Sequence, residues 1–272
     1  MTVREDCYHL TILGCGSSGG VPRIGNNWGN CDPNNPKNRR RRCSVLVQRF
    51  RNGKATTALI DTSPDIREQL LEAEIGWLDG VLITHEHADH THGIDDLRVV
   101  ALNGRQRVAV YANDETGEVL KTRFGYCFVQ PPGSSYPPIL DLRPAKALEP
   151  LVIDGDGGPI TLTPFDQVHG SITAFGVRIG TAAYSSDLSD IPDASLGILS
   201  GLDTWIVDAL RHQPHPSHFC VADALHWIGR LTPKAAVLTN LHTDLDYVEL
   251  AAMVPPHVQP AYDMMRLEVP FE

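Results

Sequence analysis

Apolar, β-branched runs at Leu10 to Leu13, Ser44 to Val47, Ala58 to Ile60 and Val81 to Ile83, each closed by Gly, Asp or His, predict buried strands. Between and after them the spacing becomes helical. Ile66 to Glu74 follows the helix-start signal Ser63-Pro64-Asp65, and Ile94 to Leu102 and Glu115 to Phe124 are further helices. The second half repeats the style, with strands expected at Ile160 to Phe165, Ala174 to Ile179, Ala182 to Tyr184, Trp205 to Val207 and Val237 to Leu238, and a helix over Val221 to Leu231. Two β-rich halves, each carrying helices, predict two sheets packed face to face with helices outside. Pro131-Pro132-Gly133 through Pro137-Pro138 breaks the order and reads as a long surface loop between the halves, either a lid or a passive connector.

The polar residues that close the fourth run change the picture most. Thr84-His85-Glu86-His87-Ala88-Asp89-His90 packs four metal-ligand side chains into one short turn. Side chains at a strand's end alternate faces, so His85 and His87 can point the same way and hold one cation, while Asp89 and His90 come later and face a second. Imidazole with carboxylate suits Zn, Mn or Fe better than the oxygen cages of Ca or Mg. The plain alternative is a polar surface loop, but like-charged imidazoles crowd together only when something neutralises or binds them. One turn cannot complete two metal shells. Of the remaining candidates, three close a strand or follow it within a short loop: His169 after Leu162 to Phe165, Asp187 after Ala183 to Ser186, and His242 after Val237 to Leu241. Ligands delivered from successive strand ends converge on one sheet edge, where a rigid backbone holds them and loops admit substrate.

Composition narrows the class. The chain has 272 residues, 42% hydrophobic and 21% charged, which is enough for one large domain with a substantial core. Met1 to Asp6 carries both charge signs before any apolar run, and no later stretch approaches a bilayer-spanning length, so a cytoplasmic chain is expected. Six scattered cysteines with no C-x-x-C pair are unlike a disulfide framework and are expected to be reduced. A formal net charge of −10 argues against a general nucleic-acid binder.

His85 to His90 matches the H-x-H-x-D-H signature, and the chain resembles the metallo-β-lactamase superfamily over nearly its whole length. The order of Asp61, His169, Asp187 and His242 also matches that pattern. The resemblance implies an α/β fold, the four-layer αβ/βα sandwich, as a single hydrolase domain over residues 1–272. It further implies that His85, His87 and His169 hold one divalent metal and that Asp89, His90 and His242 hold another. Asp187 would bridge the two, and Asp61 would orient the ligand turn from behind. Leu13-Gly14-Cys15-Gly16-Ser17-Ser18-Gly19-Gly20-Val21-Pro22 with Tyr184-Ser185-Ser186-Asp187 is similar to the branch containing phosphoribosyl 1,2-cyclic phosphate phosphodiesterase, related to the tRNA 3′-end endonucleases. The segment His212 to His218 resembles the same branch, which gives His218 a role beside the metals and leaves His212 and His215 unassigned.

There are two departures. The branch often places a His directly after the Thr of its last strand, whereas this chain reads Thr239-Asn240-Leu241-His242. Many relatives carry a Cys-rich cluster that binds a structural zinc, whereas Trp28 to Asn34 here contains only Cys31. Arg39, Arg40, Arg41 and Arg42 form the one compact basic run, read either as solvated surface or as a phosphate-binding site, with Arg67 and Arg98 as lesser candidates.

The ligand set implies two divalent ions, Zn or Mn with Fe as a further choice, that generate a hydroxide, and the resemblance implies that it attacks a small, cyclic or ribose-phosphate-like phosphodiester. His218 would act as general acid, and Asp89 would hold metal and guide protons. A lactone, ester or β-lactam hydrolase, an RNA-processing nuclease and a non-catalytic ligand carrier remain as alternatives. The expected partner is the small substrate, with no membrane and no nucleic-acid exosite, and a homodimer is left open. Metal analysis of the purified protein is expected to find no third tightly bound ion per chain, since Cys31 lacks companions; a third ion would contradict this reading.

Overall fold

The computed structural model describes residues 4–271, so the first three positions of the mixed-charge opening lie outside the described residues. The first half runs β1 (Cys7–Gly14), β2 (Ser44–Arg51), β3 (Lys54–Ile60), α1 (Ile66–Glu72), β4 (Gly80–Leu82), α2 (Ala88–Thr91), α3 (Leu97–Gly104), β5 (Val108–Ala112), α4 (Asp114–Phe128) and β6 (Leu140–Pro144). The second runs β7 (Leu151–Ile153), β8 (Ile160–His169), β9 (Ile172–Ile179), β10 (Ala182–Ser185), α5 (Asp193–Leu196), β11 (Thr204–Asp208), α6 (Val221–Leu231), β12 (Ala235–Thr239), α7 (Tyr247–Met253), β13 (Val258–Pro260) and β14 (Met265–Pro270). Two seven-stranded sheets result, ordered β14-β1-β2-β3-β4-β5-β6 and β13-β12-β11-β10-β9-β8-β7.

Alternate residues of one strand enter different cores, which is why the strand sequences are continuous apolar runs. Val45, Val47, Ala58, Ile60 and Leu82 face the other sheet, where they meet Val177, Tyr184, Ile206 and Val237. Their neighbours Leu46, Leu59 and Val81 point outward, under α1, α3 and α4. Trp205, Val207 and Leu238 likewise pack beneath α6 and α7. The four-layer αβ/βα sandwich implied by the resemblance is therefore the observed architecture. Each fully buried Leu, Ile or Val contributes about 1.5–3 kcal/mol of transfer free energy, so these three cores dominate the favourable side of folding.

Two expectations need correction, and one pairing was not anticipated. The proline-rich stretch connects α4 to β6, both in the first half, so it is not the connection between the halves; that role falls to the short segment between β6 and β7. His169 is not in a loop after the strand. β8 continues through Asp166 and Gln167 to His169, paired with β9 up to His169↔Ile172. Polar residues ended the apolar pattern there, yet Gln167 is buried and its Nε2 donates to the Asp187 carbonyl at 3.0 Å. Finally, β14 leaves the second half and pairs antiparallel with β1, closing the first sheet with the end of the chain.

Strands β3 to β6 are parallel, as are β10 to β13, and β8 runs in the same direction as β10 through the antiparallel β9. Their carboxyl ends share one edge of the sandwich, the usual crevice for a ligand in α/β sheets. No helix among the described residues is long and apolar enough to cross a membrane.

The turn after α2 is pressed against the start of α1. Gly93 donates its N–H to the Thr62 carbonyl at 3.0 Å, and a Cβ there would lie 2.0 Å from the Ser63 carbonyl oxygen. Gly229, inside α6, faces open space. Urea unfolding is expected to show Gly93→Ala losing about 1–3 kcal/mol by overpacking and Gly229→Ala gaining up to about 1 kcal/mol from helix propensity.

Candidate metal centre

The site begins with Asp61, the residue that follows β3 in a left-handed conformation (φ 65) with its carboxylate fully buried. Thr84 donates to it twice, from its backbone N–H at 2.7 Å and from its hydroxyl at 2.8 Å, and His90 Nδ1 lies 2.7 Å away. A buried carboxylate is an acceptor, so His90 carries its proton on Nδ1 and turns Nε2 inward. The Thr84 hydroxyl has one proton and gives it to Asp61, so at 3.0 Å it accepts from His85 Nδ1, which leaves His85 Nε2 as a lone pair. One side chain thus sets the tautomers of two histidines. His169 is oriented independently: its Nδ1 donates to the Ser217 carbonyl at 2.7 Å, and its Nε2 faces His87 Nδ1 at 3.1 Å.

These side chains converge. His85, His87 and His169 form one group, His85, His90 and Asp187 a second, and His169, Asp187 and His218 a third, with the donor atoms of each group all within 4.8 Å of one another. His85, His169 and Asp187 are each shared between two of the groups. Asp187 Oδ1 lies 3.2 Å from His90 Nε2, and Asp89 Oδ2 lies 3.5 Å from that same nitrogen. Burial, then the charge on His90, holds His85 well below the usual histidine range, and burial also lowers His169. Burial opposes charging at His90, but Asp187, Asp61 and Asp89 outweigh it and raise that ring well above its ordinary value. Asp187 is in turn held low, because His90 outweighs the burial that would raise it.

A divalent cation competes for the nitrogen that this proton occupies. The residues fit such an ion: His85 Nε2 is buried without any hydrogen-bond partner, and an orphaned buried imidazole nitrogen amid other inward lone pairs is a ligand set. His85, His87, His169, His90 and Asp187 would hold it, with Asp61 and Ser217 fixing ring orientation from behind.

The structure does not bring His242 into these groups. Its Nδ1 lies 2.9 Å from Asp244, its Nε2 contacts Arg23, and burial followed by Arg23 lowers its basicity. Asn240, in a left-handed conformation (φ 60), stands nearer instead: its Nδ2 donates to the Ser186 carbonyl at 3.1 Å and lies 3.1 Å from His218 Nδ1. His242 and Asp89 share the walls of a cavity of about 190 Å³ beside the cluster, with Ser17, Ser18, Arg23, Arg211 and His218. Arg39 to Arg42 line a different cavity, and Arg67 and Arg98 pair with Glu68 and Asp95.

Sequence reasoning missed Asp208. It ends β11 with its carboxyl buried, and its Oδ2 lies 2.8 Å from His218 Nδ1. Burial pushes Asp208 up to about 7, while its charge, acting against the burial of His218, raises that ring to about 9. The 2.8 Å contact supports a charged pair, imidazolium against carboxylate. The signal was present: Asp208 closes Trp205-Ile206-Val207 as Asp61 closes Leu59-Ile60.

Comparison with known proteins shows the family. Residues 56–240 match the family model of the beta-lactamase superfamily domain. The crystal structure of a diphosphatase from the PhnP family is 37% identical and superposes with a TM-score of 0.85, covering 97% of this chain and 98% of that one. An octanoyltransferase of Porphyromonas gingivalis is 34% identical over 93% of this chain, which spans about half (50%) of that protein's length. An exodeoxyribonuclease of Bacillus anthracis is 23% identical over 90% of this chain and 86% of its own.

If Asp61 sets the tautomers, Asp61→Asn is expected to weaken divalent-metal affinity by about 10–100-fold with little change in far-UV circular dichroism. Unchanged affinity in a metal titration would remove that role.

Proposed function

This chain belongs to the beta-lactamase superfamily and, within it, to the PhnP family, and we propose that it is a metal-dependent phosphodiesterase acting on a small phosphodiester, cyclic or nucleotide- and ribose-phosphate-like. The carrying observation is the overlap of the donor groups. His85, His169 and Asp187 each serve two neighbouring groups, which suits a pair of divalent ions, Zn or Mn with Fe as a further choice. His85, His87 and His169 would hold one and His90 with Asp187 the other, while Asp89 stands outside the groups, 3.5 Å from His90 Nε2. When bound, the ions supply Lewis acidity that acidifies water and offsets charge on phosphoryl oxygens.

The chain's own groups account for the rest. A water oxygen bonds to phosphorus as the opposite P–O bond breaks, and the departing oxygen takes a proton from His218. Asp208 fixes that histidine by accepting from Nδ1, which leaves Nε2 as the donor. Asp89, on the same cavity wall, accepts the proton that water gives up. Arg23 and Arg211 bring positive charge to that cavity, which favours a phosphorus-centred anion over a neutral carbonyl. The solved PhnP-family relative is described as a diphosphatase, which supports phosphoryl chemistry.

The relative named for octanoyl transfer keeps one other reading in view, hydrolysis of a carbon-centred ester or lactone at the same site. Acyl transfer through a thiol is not carried over, because all six cysteines are buried and none is in the metal-binding groups. A nuclease reading is opposed by the net charge of −10.

The test is turnover of a cyclic phosphodiester, bis(4-nitrophenyl) phosphate, a nucleoside diphosphate and a lactone by protein loaded with Zn, Mn or Fe. Phosphodiester turnover is expected, reduced by about three orders of magnitude in His87→Ala and Asp187→Ala. Equal turnover in the variants would remove the site. Lactone turnover alone would replace the substrate.

A further inference from the structure

A cavity of about 780 Å³ lies across the segment Ser17 to Ile24 from the metal-binding groups: Gly19 to Pro22 and Ile24 wall it, while Ser17, Ser18 and Arg23 line the smaller cavity beside the metal-binding groups. The basic run that the hydrolytic reading leaves unused faces this second space. Two of its arginines are neutralised within the fold, Arg41 by Glu72 at 2.7 Å and Asp263 at 3.0 Å, and Arg42 by Asp65 at 2.7 Å.

Four carboxylates share this wall, Asp65, Glu72 and Asp263 in the pairs just given and Glu68 paired with Arg67, but three other cations there have no such partner. Among the described residues, no carboxylate lies within 4.0 Å of Lys37, Arg39 or Arg40. Lys37 Nζ rests over the rings of Tyr247 and Tyr262, 4.3 and 4.5 Å from their centroids, and touches the Tyr247 hydroxyl at 3.1 Å. Arg39 lies over Trp28. Arg40 is only 2% exposed, yet its guanidinium meets neutral partners alone: the His242 carbonyl at 3.3 Å, Asn38 Oδ1 at 3.2 Å and the Cys31 sulfur at 3.8 Å. Its Nε is buried with no partner. A guanidinium buried without a counter-charge is costly, and an anion in the adjoining space removes that cost.

We propose that this cavity is a second binding site, separate from the metal centre, for a small phosphate-bearing molecule. Arg39 supplies the planar fork for phosphate oxygens, Lys37 a point charge beside it, and buried Arg40 the field behind both. Tyr262 and the fully exposed Ile24 give an organic body something apolar to rest on. Polycarboxylates share the oxyanion chemistry, but each carboxylate spreads one charge over two oxygens, whereas a terminal phosphate gathers close to two charges on three oxygens, which suits an arginine fork and a lysine charge placed side by side. Nothing in this assignment depends on the hydrolytic reading, and it is tested without metal.

The experiment is calorimetric titration of protein dialysed against a chelator, with inorganic phosphate in one arm and citrate in the other. Saturable phosphate binding tighter than citrate is expected, weakened about tenfold or more in the Lys37→Gln/Arg39→Gln double variant and unaltered in His87→Ala. Neither Lys37 nor Arg39 is a core residue, and a thermal melt checks that the double variant is folded. Four results would each overturn the assignment: no saturable phosphate binding, equal affinity in the folded double variant, tighter binding of citrate, or loss of phosphate binding in His87→Ala.

Discussion

A single buried carboxylate organises the metal-binding groups. Asp61 accepts three hydrogen bonds from Thr84 and His90, and through them keeps a proton on Nδ1 of both His85 and His90 and turns both Nε2 atoms inward. Burial raises the Asp61 carboxyl above its ordinary value, and the same burial makes the remaining donors indispensable, since a charge in that position without them would be strongly disfavoured. The left-handed backbone at Asp61 turns the chain so that its carboxylate sits behind the ligand turn. This conformation is unfavourable for a non-glycine residue, and three hydrogen bonds in a dry site offset it.

The second constraint is architectural. Strands buried on both faces cannot slide without exposing an apolar row, so their ends are fixed relative to one another. Ligands carried at the ends of β4, β8 and β10 inherit that precision, as do Asp208 at the end of β11 and Asn240 just beyond β12. Crowding imidazoles and carboxylates there leaves His90 and Asp187 as a charged pair and His85 as a neutral base. The layers beneath supply the rigidity that lets such groups stay close without splaying apart.

The segment from Ser17 to Ile24 separates two polar spaces with different chemistry. On one side stand His218, Asp89 and two arginines; on the other stand cations that the fold leaves unneutralised in an otherwise acidic chain. Arg40 links the two, because it donates to the backbone of His242 while facing the larger cavity. The run Arg39 to Arg42 thus divides its labour between internal ion pairs, a buried tie and exposed charge.

Much of the fold and site was legible because period and punctuation are local. Apolar runs marked nine of the strands, β1 to β4 and β8 to β12, although the buried β5 was missed; Val221 to Leu231 was found at its observed bounds, and the H-x-H-x-D-H turn announced its chemistry by spacing alone. The edge strands β6, β7, β13 and β14 were not legible: they are short and half exposed, so their patterns are weak. The pairing of Asp208 with His218, the place of Asn240 and the setting of His242 were decided only by tertiary structure. Whether a side chain at a strand end faces a metal group, a salt bridge or a cavity depends on which distant strand lies beside it. Distance between elements far apart in sequence leaves no periodic trace along the chain. The amino-acid order determined which chemical groups were available and at which strand ends; packing of the two sheets determined which of them met.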